Sequence, residues 1–299
     1  MPFPKEPKEP KEPKELNEPD LRDDRMSRHD VPGSNGPAPV SRPARRIPWG
    51  RYVFLVVWTA LVATVYGVYS GVVPVQDRHN PWAPLDVSEP PGVLTPYKLG
   101  RALNNPALCL DALERSGMGF DVLPDRVTGP GCGFENAVRL RTAGVRFGAP
   151  LPLSCPMALS FAMWERHALQ PAAQARMQQR VVAIDQIGSY ACRNINTGEG
   201  SFKGRMASGS GSRSRHATAD ALDVTGFTMA DGQRISVLKN WQSKSDSEGA
   251  TAKRDAKALL LADLHAGACK YFKGVLGPDY NAVHKDHFHF ETGGYSMCR

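Results

Sequence analysis

From Tyr52 to Val75 the chain carries no charged residue, in a run of Val, Leu, Ala and aromatic side chains. No other feature limits the fold as much. About 20 apolar residues in a helix cross the hydrocarbon core of a bilayer. A helix apolar on every side must otherwise be buried in a large core, and its flanks offer none. Trp49, Tyr52, Tyr66 and Tyr69 lie near the ends of the run, where amphipathic rings suit the membrane–water interfaces. The run exceeds the roughly 7–15 residues of a signal-peptide core, and about fifty residues precede it, which favours an anchor over a cleaved leader. A transmembrane helix is expected over 51–76.

The flanks set the expected orientation. Arg42, Arg45, Arg46 and Arg51 precede the run, and only Arg78 follows closely. The positive-inside rule then keeps residues 1–50 in the cytoplasm and exports everything after Val75. Residues 1–50 open on Lys-Glu-Pro repeats, with Pro4, Pro7, Pro10 and Pro13 at every third position. Proline at that period forbids a helix, and the polar sequence that follows cannot bury enough apolar surface to order itself. A disordered cytoplasmic tail is expected. Residues 77–98 carry Pro81, Pro84, Pro90, Pro91 and Pro96 and read as a semi-rigid linker.

All six cysteines lie beyond the apolar run: Cys109, Cys132, Cys155, Cys192, Cys269 and Cys298. An even set on the exported side reads as disulfides in an oxidising compartment, in any of 15 pairings. No Cys-x-x-Cys pair suggests zinc bound by thiolates. The net charge of +7 comes without a block of Lys or Arg, so nucleic acid is not an expected partner. A basic exterior would suit an anionic envelope polymer.

The remainder, 99–299, is long enough for one domain with its own core. Pro106–Ser116 reads as a short helix capped by Asn105, Ala137–Arg141 as a strand, and Pro156–Leu169 as a helix that Pro171 should end or kink, with Pro171–Arg180 continuing as a second helix. Val181–Ile184 reads as a strand, and Ala191–Asn196 as a strand end presenting Arg193. A Gly/Ser-rich loop over 197–213 follows. Ala221–Phe227 and Ile235–Leu238 form an expected hairpin around Asp231-Gly232, and Ala252–Phe272 has helical spacing. The fold class is α+β, with helices flanking an antiparallel sheet.

Two stretches carry chemistry. Ser214-Arg215-His216 through Asp223 places an imidazole seven positions from a carboxylate; His284-Lys285-Asp286-His287-Phe288-His289-Phe290-Glu291 adds three histidines. Neutral imidazoles and one carboxylate are the usual ligands of a catalytic zinc. As a strand, His287–Glu291 would put His287, His289 and Glu291 on one face and Phe288 and Phe290 on the other. His29, His79, His167 and His265 have no such context and read as surface or satisfied core residues.

The pattern Ser214-x-His216, Ala221-x-Asp223 and His287-x-His289 resembles the signature of zinc metallopeptidases that cut peptidoglycan peptides. That group unites lysostaphin-type, D-alanyl-D-alanine and hedgehog-like domains. The spacing His284-x-x-His287-x-His289 is similar to its murein endopeptidase branch. More closely, residues 99–299 resemble the bacterial extensin-like C-terminal family. The resemblance rests on Gly131-Cys132-Gly133, Cys155-Pro156-Met157-Ala158, Tyr190-x-Cys192-Arg193-Asn194-Ile195-Asn196, Val275-Leu276-Gly277-Pro278-Asp279-Tyr280-Asn281, the histidine cluster and Cys298-Arg299.

The resemblance implies a hedgehog/D-Ala-D-Ala peptidase-like fold with zinc held by His216, Asp223 and His289. His287 would be the general base or oxyanion stabiliser, with His284 sharing or orienting that work. Arg193 would hold a carboxylate or polarise the scissile carbonyl, and Ser214 would set the loop beside the substrate site. Some relatives carry a glutamate base two or three residues before the last ligand, where this chain has His287 and Asp286. The expected protein is thus a zinc-dependent endo- or carboxypeptidase on peptidoglycan peptides. It would be anchored once in the bacterial inner membrane with its domain in the periplasm. The alternative is a wall-binding or scaffolding module on the same fold that does not cut.

Overall fold

In a computed structural model, residues 49–195, 212–243 and 255–299 are described. The expected disordered tail and most of the Gly/Ser-rich loop lie outside the described residues. The chain divides into two units, Met1–Leu55 and Val56–Arg299, with the boundary inside the first helix. That helix, α1 (Trp49–Tyr69), is long and apolar enough to cross a membrane, and nearly all of its side chains are exposed. It is not the buried helix of a soluble core.

The stretch expected as a linker is in part domain. A 3₁₀ turn covers Asp77–His79, and Leu85 and Val87 are buried members of the main hydrophobic core. Its prolines space out side chains that pack, so it does not hang free as a spacer. Helix α2 (Thr95–Leu103) starts with Pro96 in its first turn, and its Lys98 Nζ bonds the Asp77 carbonyl. Helix α3 (Pro106–Arg115) begins where Asn105 accepts the Leu108 amide at 3.1 Å, as its capping sequence predicts.

A three-stranded antiparallel sheet joins β1 (Gly119–Leu123), β4 (Ala137–Thr142) and β5 (Leu151–Ser154) in the order β1-β4-β5. Between β1 and β4 a separate hairpin pairs β2 (Arg126–Gly129) with β3 (Cys132–Phe134). Only β4 was legible beforehand, because Val138 and Leu140 alternate with Arg139 and Arg141 along it.

Helix α4 (Cys155–Trp164) has Pro156 in its first turn and Ser154 as its cap. It is apolar all round and buried all round. The change expected near Pro171 is present, with a second helix after it, but it takes the form of a shift in register rather than a stop. A π turn over Glu165–Leu169 runs straight into α5 (Gln170–Met177), with the Gln170 amide bonding the Glu165 carbonyl five residues back. The wider turn shifts the hydrogen-bond register just before the residue that lacks an amide.

The larger sheet has the order β11-β9-β10-β7-β6. Its strands are β6 (Val181–Gly188), β7 (Ala221–Met229), β9 (Gly274–Leu276), β10 (Phe288–Glu291) and β11 (Met297–Cys298), and β8 (Arg234–Ser236) also pairs with β7. The expected partner strand Ile235–Leu238 is cut short at Ser236, where α6 (Val237–Asn240) begins. Helix α7 (Ala256–Ala268) stops short of Phe272; residues 252–254 of the expected helix lie outside the described residues. Trp164 of α4 meets Phe227, Phe272 and Phe290, and its indole Nε1 donates to the Leu264 carbonyl at 3.1 Å. Burying each of these rings contributes about 1.5–3 kcal/mol. Phe288 and Phe290 thus fill the core face of β10, which leaves His289 and Glu291 for the other.

The cysteines pair as Cys109–Cys155, Cys132–Cys192 and Cys269–Cys298, across 46, 60 and 29 positions, and none is free. Closing loops of that length in the unfolded chain stabilises the fold by about 4 kcal/mol per bond in the chain-entropy view.

Candidate metal centre

Two adjacent strands build the centre. In the antiparallel register His289 of β10 lies directly opposite Asp223 of β7. Cross-strand partners on one face are near neighbours, and His289 Nδ1 stands 2.7 Å from Asp223 Oδ1. The third group arrives on a 3₁₀ turn, Arg215–Thr218, whose entry is fixed by Ser214 Oγ accepting the His216 amide. This turn places His216 Nε2 3.1 Å from Asp223 Oδ2 and 3.3 Å from His289 Nδ1. Ser214 is buried, and its hydroxyl is spent on this turn.

His216, Asp223 and His289 are all buried, and their donor atoms lie within 4.8 Å of one another. The nitrogens not aimed at the centre are tied down. His216 Nδ1 is 3.4 Å from the Ser189 carbonyl, and His289 Nε2 is 3.1 Å from Glu291 Oε2. Such outer partners orient metal-binding imidazoles and raise their basicity. Ligand atoms around a tetrahedral zinc with bonds of about 2.0–2.1 Å sit roughly 3.3 Å apart, close to the spacings here. The residues present therefore fit a zinc ion. A second group, His265, Cys269 and Cys298, also clusters, but its cysteines form a disulfide and offer no thiolate.

Electrostatics bind the triad together. Burial would push the Asp223 carboxyl up, yet hydrogen bonds and charge from His216 and His289 outweigh it and hold the group well below the usual carboxylate range. Burial lowers His289 too, but Asp223 and Glu291, one on each nitrogen, raise it to about 9. In the metal-free protein the proton on His289 thus supplies the positive charge that the carboxylates require.

The other two histidines line the same space. His287 falls just before β10 rather than within it, so strand alternation does not set its direction. Its Nδ1 lies 2.9 Å from Asp286 Oδ1, which turns Nε2 towards Asp223 Oδ1 at 3.7 Å. His284 ends a short 3₁₀ turn, with its ring 5.2 Å from that of His287 and 5.8 Å from that of His289. Asn281 Oδ1 accepts the amides of Val283 and His284, so it also accepts from His284 Nδ1 at 2.7 Å. That fixes the neutral tautomer: the proton is on Nδ1 and the lone pair on Nε2. Burial, then the nearby His289 and His287, push its pKa down to about 4; Asp223 opposes this and Arg193 adds to it.

Arg193 is exposed and lies in no strand; its segment bridges only at Asn194↔Arg213. The expected strand end is replaced by a segment held from outside. Cys192 is bonded to Cys132 of the β2–β3 hairpin, and the Arg193 carbonyl accepts the Ser214 amide at 3.1 Å. Asn196 lies outside the described residues. Sequence reasoning missed Glu291 as the partner of His289, Asp286 as that of His287 and Asn281 as that of His284. The only available signal for Glu291 was its period-two spacing from His289. His79 is exposed, while His167 and His265 bond the carbonyls of Val87 and Arg299, as expected of histidines outside the centre. His29 lies outside the described residues.

The sequence model described as extensin-like protein C-terminus matches residues 107–299. No curated protein and no solved structure matches the chain.

Proposed function

The chain belongs to the extensin-like protein C-terminus family, and on that premise we propose that it is a membrane-anchored, zinc-dependent peptidase acting on peptidoglycan peptides. One observation carries the reading. Three buried donors converge on one point with their spare nitrogens tied, and two more histidines present lone pairs beside them. A structural His–Asp pair needs no such second set.

His216 Nε2, His289 Nδ1 and the Asp223 carboxylate would hold the ion, which supplies Lewis acidity for a water and a scissile carbonyl. His287 takes the proton of the attacking water on Nε2, because Asp286 holds the other nitrogen. The same imidazole then returns the proton to the leaving amine. His284 is neutral at pH 7, so its Nε2 accepts a hydrogen bond from water or from a substrate amide. Arg193, exposed near His284, binds a substrate carboxylate or steadies the developing oxyanion. The periplasmic face of a bacterial inner membrane supplies both the substrate and the oxidising conditions that three disulfides need.

The test is to incubate the purified chain, in detergent, with isolated murein and to separate the soluble fragments. New fragments should appear, vanish with chelator and return with zinc. Binding to murein that survives chelation, with no fragment at any zinc level, would replace the peptidase by a wall-binding module.

A further inference from the structure

A hollow of about 590 Å³ lies between the β2–β3 hairpin and the three-stranded sheet, away from the histidines. Its volume falls in the range of small-ligand sites. Arg126 of the hairpin and Arg139 of β4 line it, with Phe134, Leu123, Pro150 and Pro152 as apolar walls. No carboxylate is among its lining residues. On the same sheet face Arg141 is bonded to Asp121, but none of the ion pairs among the described residues involves Arg126 or Arg139.

We propose that this hollow binds an acidic peptide, with the two guanidinium groups taking two carboxylates. The inference deepens the peptidase reading and rests on it, since peptidoglycan stem peptides carry free carboxylates a few bonds apart. A guanidinium pairs bidentately with a carboxylate, and the apolar walls suit the aliphatic part of such a peptide. The hairpin is tied to the segment that precedes the metal-centre turn. The Phe134 ring meets that of Tyr190 at a tilt, 4.5 Å between centroids, and the Tyr190 hydroxyl bonds Thr128 of β2. Next to Tyr190, Ser189 holds His216, and Cys192 is cross-linked to Cys132 of the hairpin. The hollow selects the acidic substrate, and the histidines cut it.

Binding can be read without cleavage. The full chain in detergent, stripped with chelator, is titrated with a fluorescent soluble stem peptide, once with free carboxylates and once amidated. The acidic peptide should bind in a salt-sensitive way. Arg126→Gln with Arg139→Gln should weaken it at least tenfold, and amidation should do the same to the native chain. Arg176→Gln, on α5 and paired with Asp263, removes the same charge outside the hollow and should leave binding unchanged. The idea is overturned if the acidic peptide does not bind the native chain, if the double variant binds as the native chain does, or if amidation has no effect. Arginine-dependent binding without zinc-dependent cleavage would remove the peptidase reading and leave the hollow. Cleavage with arginine-independent binding would do the reverse.

Discussion

At the residue scale the centre separates ligands from chemistry. His216, Asp223 and His289 converge, whereas His287 approaches only Asp223 and is held from Asp286. Replacing a ligand removes a bond on which metal affinity, and with it stability, depends. His216→Ala and His289→Ala should lose zinc and activity and melt lower. His287→Ala should keep about one zinc and its melting temperature, yet lose roughly 10²–10⁴-fold in rate. Zinc content and murein cleavage of the three variants decide this; a metal-free His287→Ala beside a zinc-loaded His289→Ala means the two roles are reversed. A second prediction follows from the His289 pKa of about 9. The folded value lies above the ordinary 6.5, so this ion pair stabilises the metal-free protein fully below 6.5 and is lost as pH rises through 9. Zinc must displace that proton. Zinc binding at pH 7 should therefore release about one proton, and calorimetry in buffers of different ionisation enthalpy measures it. No release would mean that His289 is already neutral or is not a ligand.

At the scale of elements, the join between α4 and α5 carries a stored cost. Glu165 opens the π turn, is almost fully buried, and accepts the Gly144 amide at 3.3 Å. Burial raises its pKa above the usual glutamate value, against the hydrogen bonds from Gln170 and Gly144. A carboxyl raised in the folded state costs nothing below its unfolded pKa and costs stability once pH passes its folded pKa. Glu165→Gln should therefore melt higher than the native protein at pH 7 and match it at about pH 4, below the ordinary glutamate pKa of ~4.3. Equal melting temperatures at pH 7 would show that the carboxylate is compensated in place. The sequence pointed to an end or a kink at Pro171 with a second helix beyond it, because a proline's missing amide is a local fact. The π turn that absorbs it depends on Ala168 lying against Gly267 of α7 and on Leu169 being buried, which no local pattern reveals.

At the scale of the whole molecule, one helix among the described residues is long and apolar enough for a bilayer, and every cysteine after it is paired. The arginines before α1 outnumber those just after it, which predicts an exported C-terminal domain. A reporter active only in the periplasm should work when fused after Arg299 and fail before Met1; the reverse pattern would invert the topology.

Composition and local spacing determined much of this protein. The apolar helix, the capped helix at Asn105 and the strand alternation in β4 all rest on interactions within a few residues, and the even cysteine count beyond the apolar run told that they are oxidised. The grouping of His216, Asp223 and His289 came instead from a resemblance, since their residue types and spacings are similar to a family signature. Tertiary structure alone decided the rest. Which cysteines meet depends on how helices and the β2–β3 hairpin pack. That Leu85 and Val87 belong to the core depends on the surface that receives them. The direction of His287, and the partners Glu291, Asp286 and Asn281, depend on the register of β10 against β7 and on turns beside it. Periodicity says which face a side chain is on; only the packed sheet says what waits there.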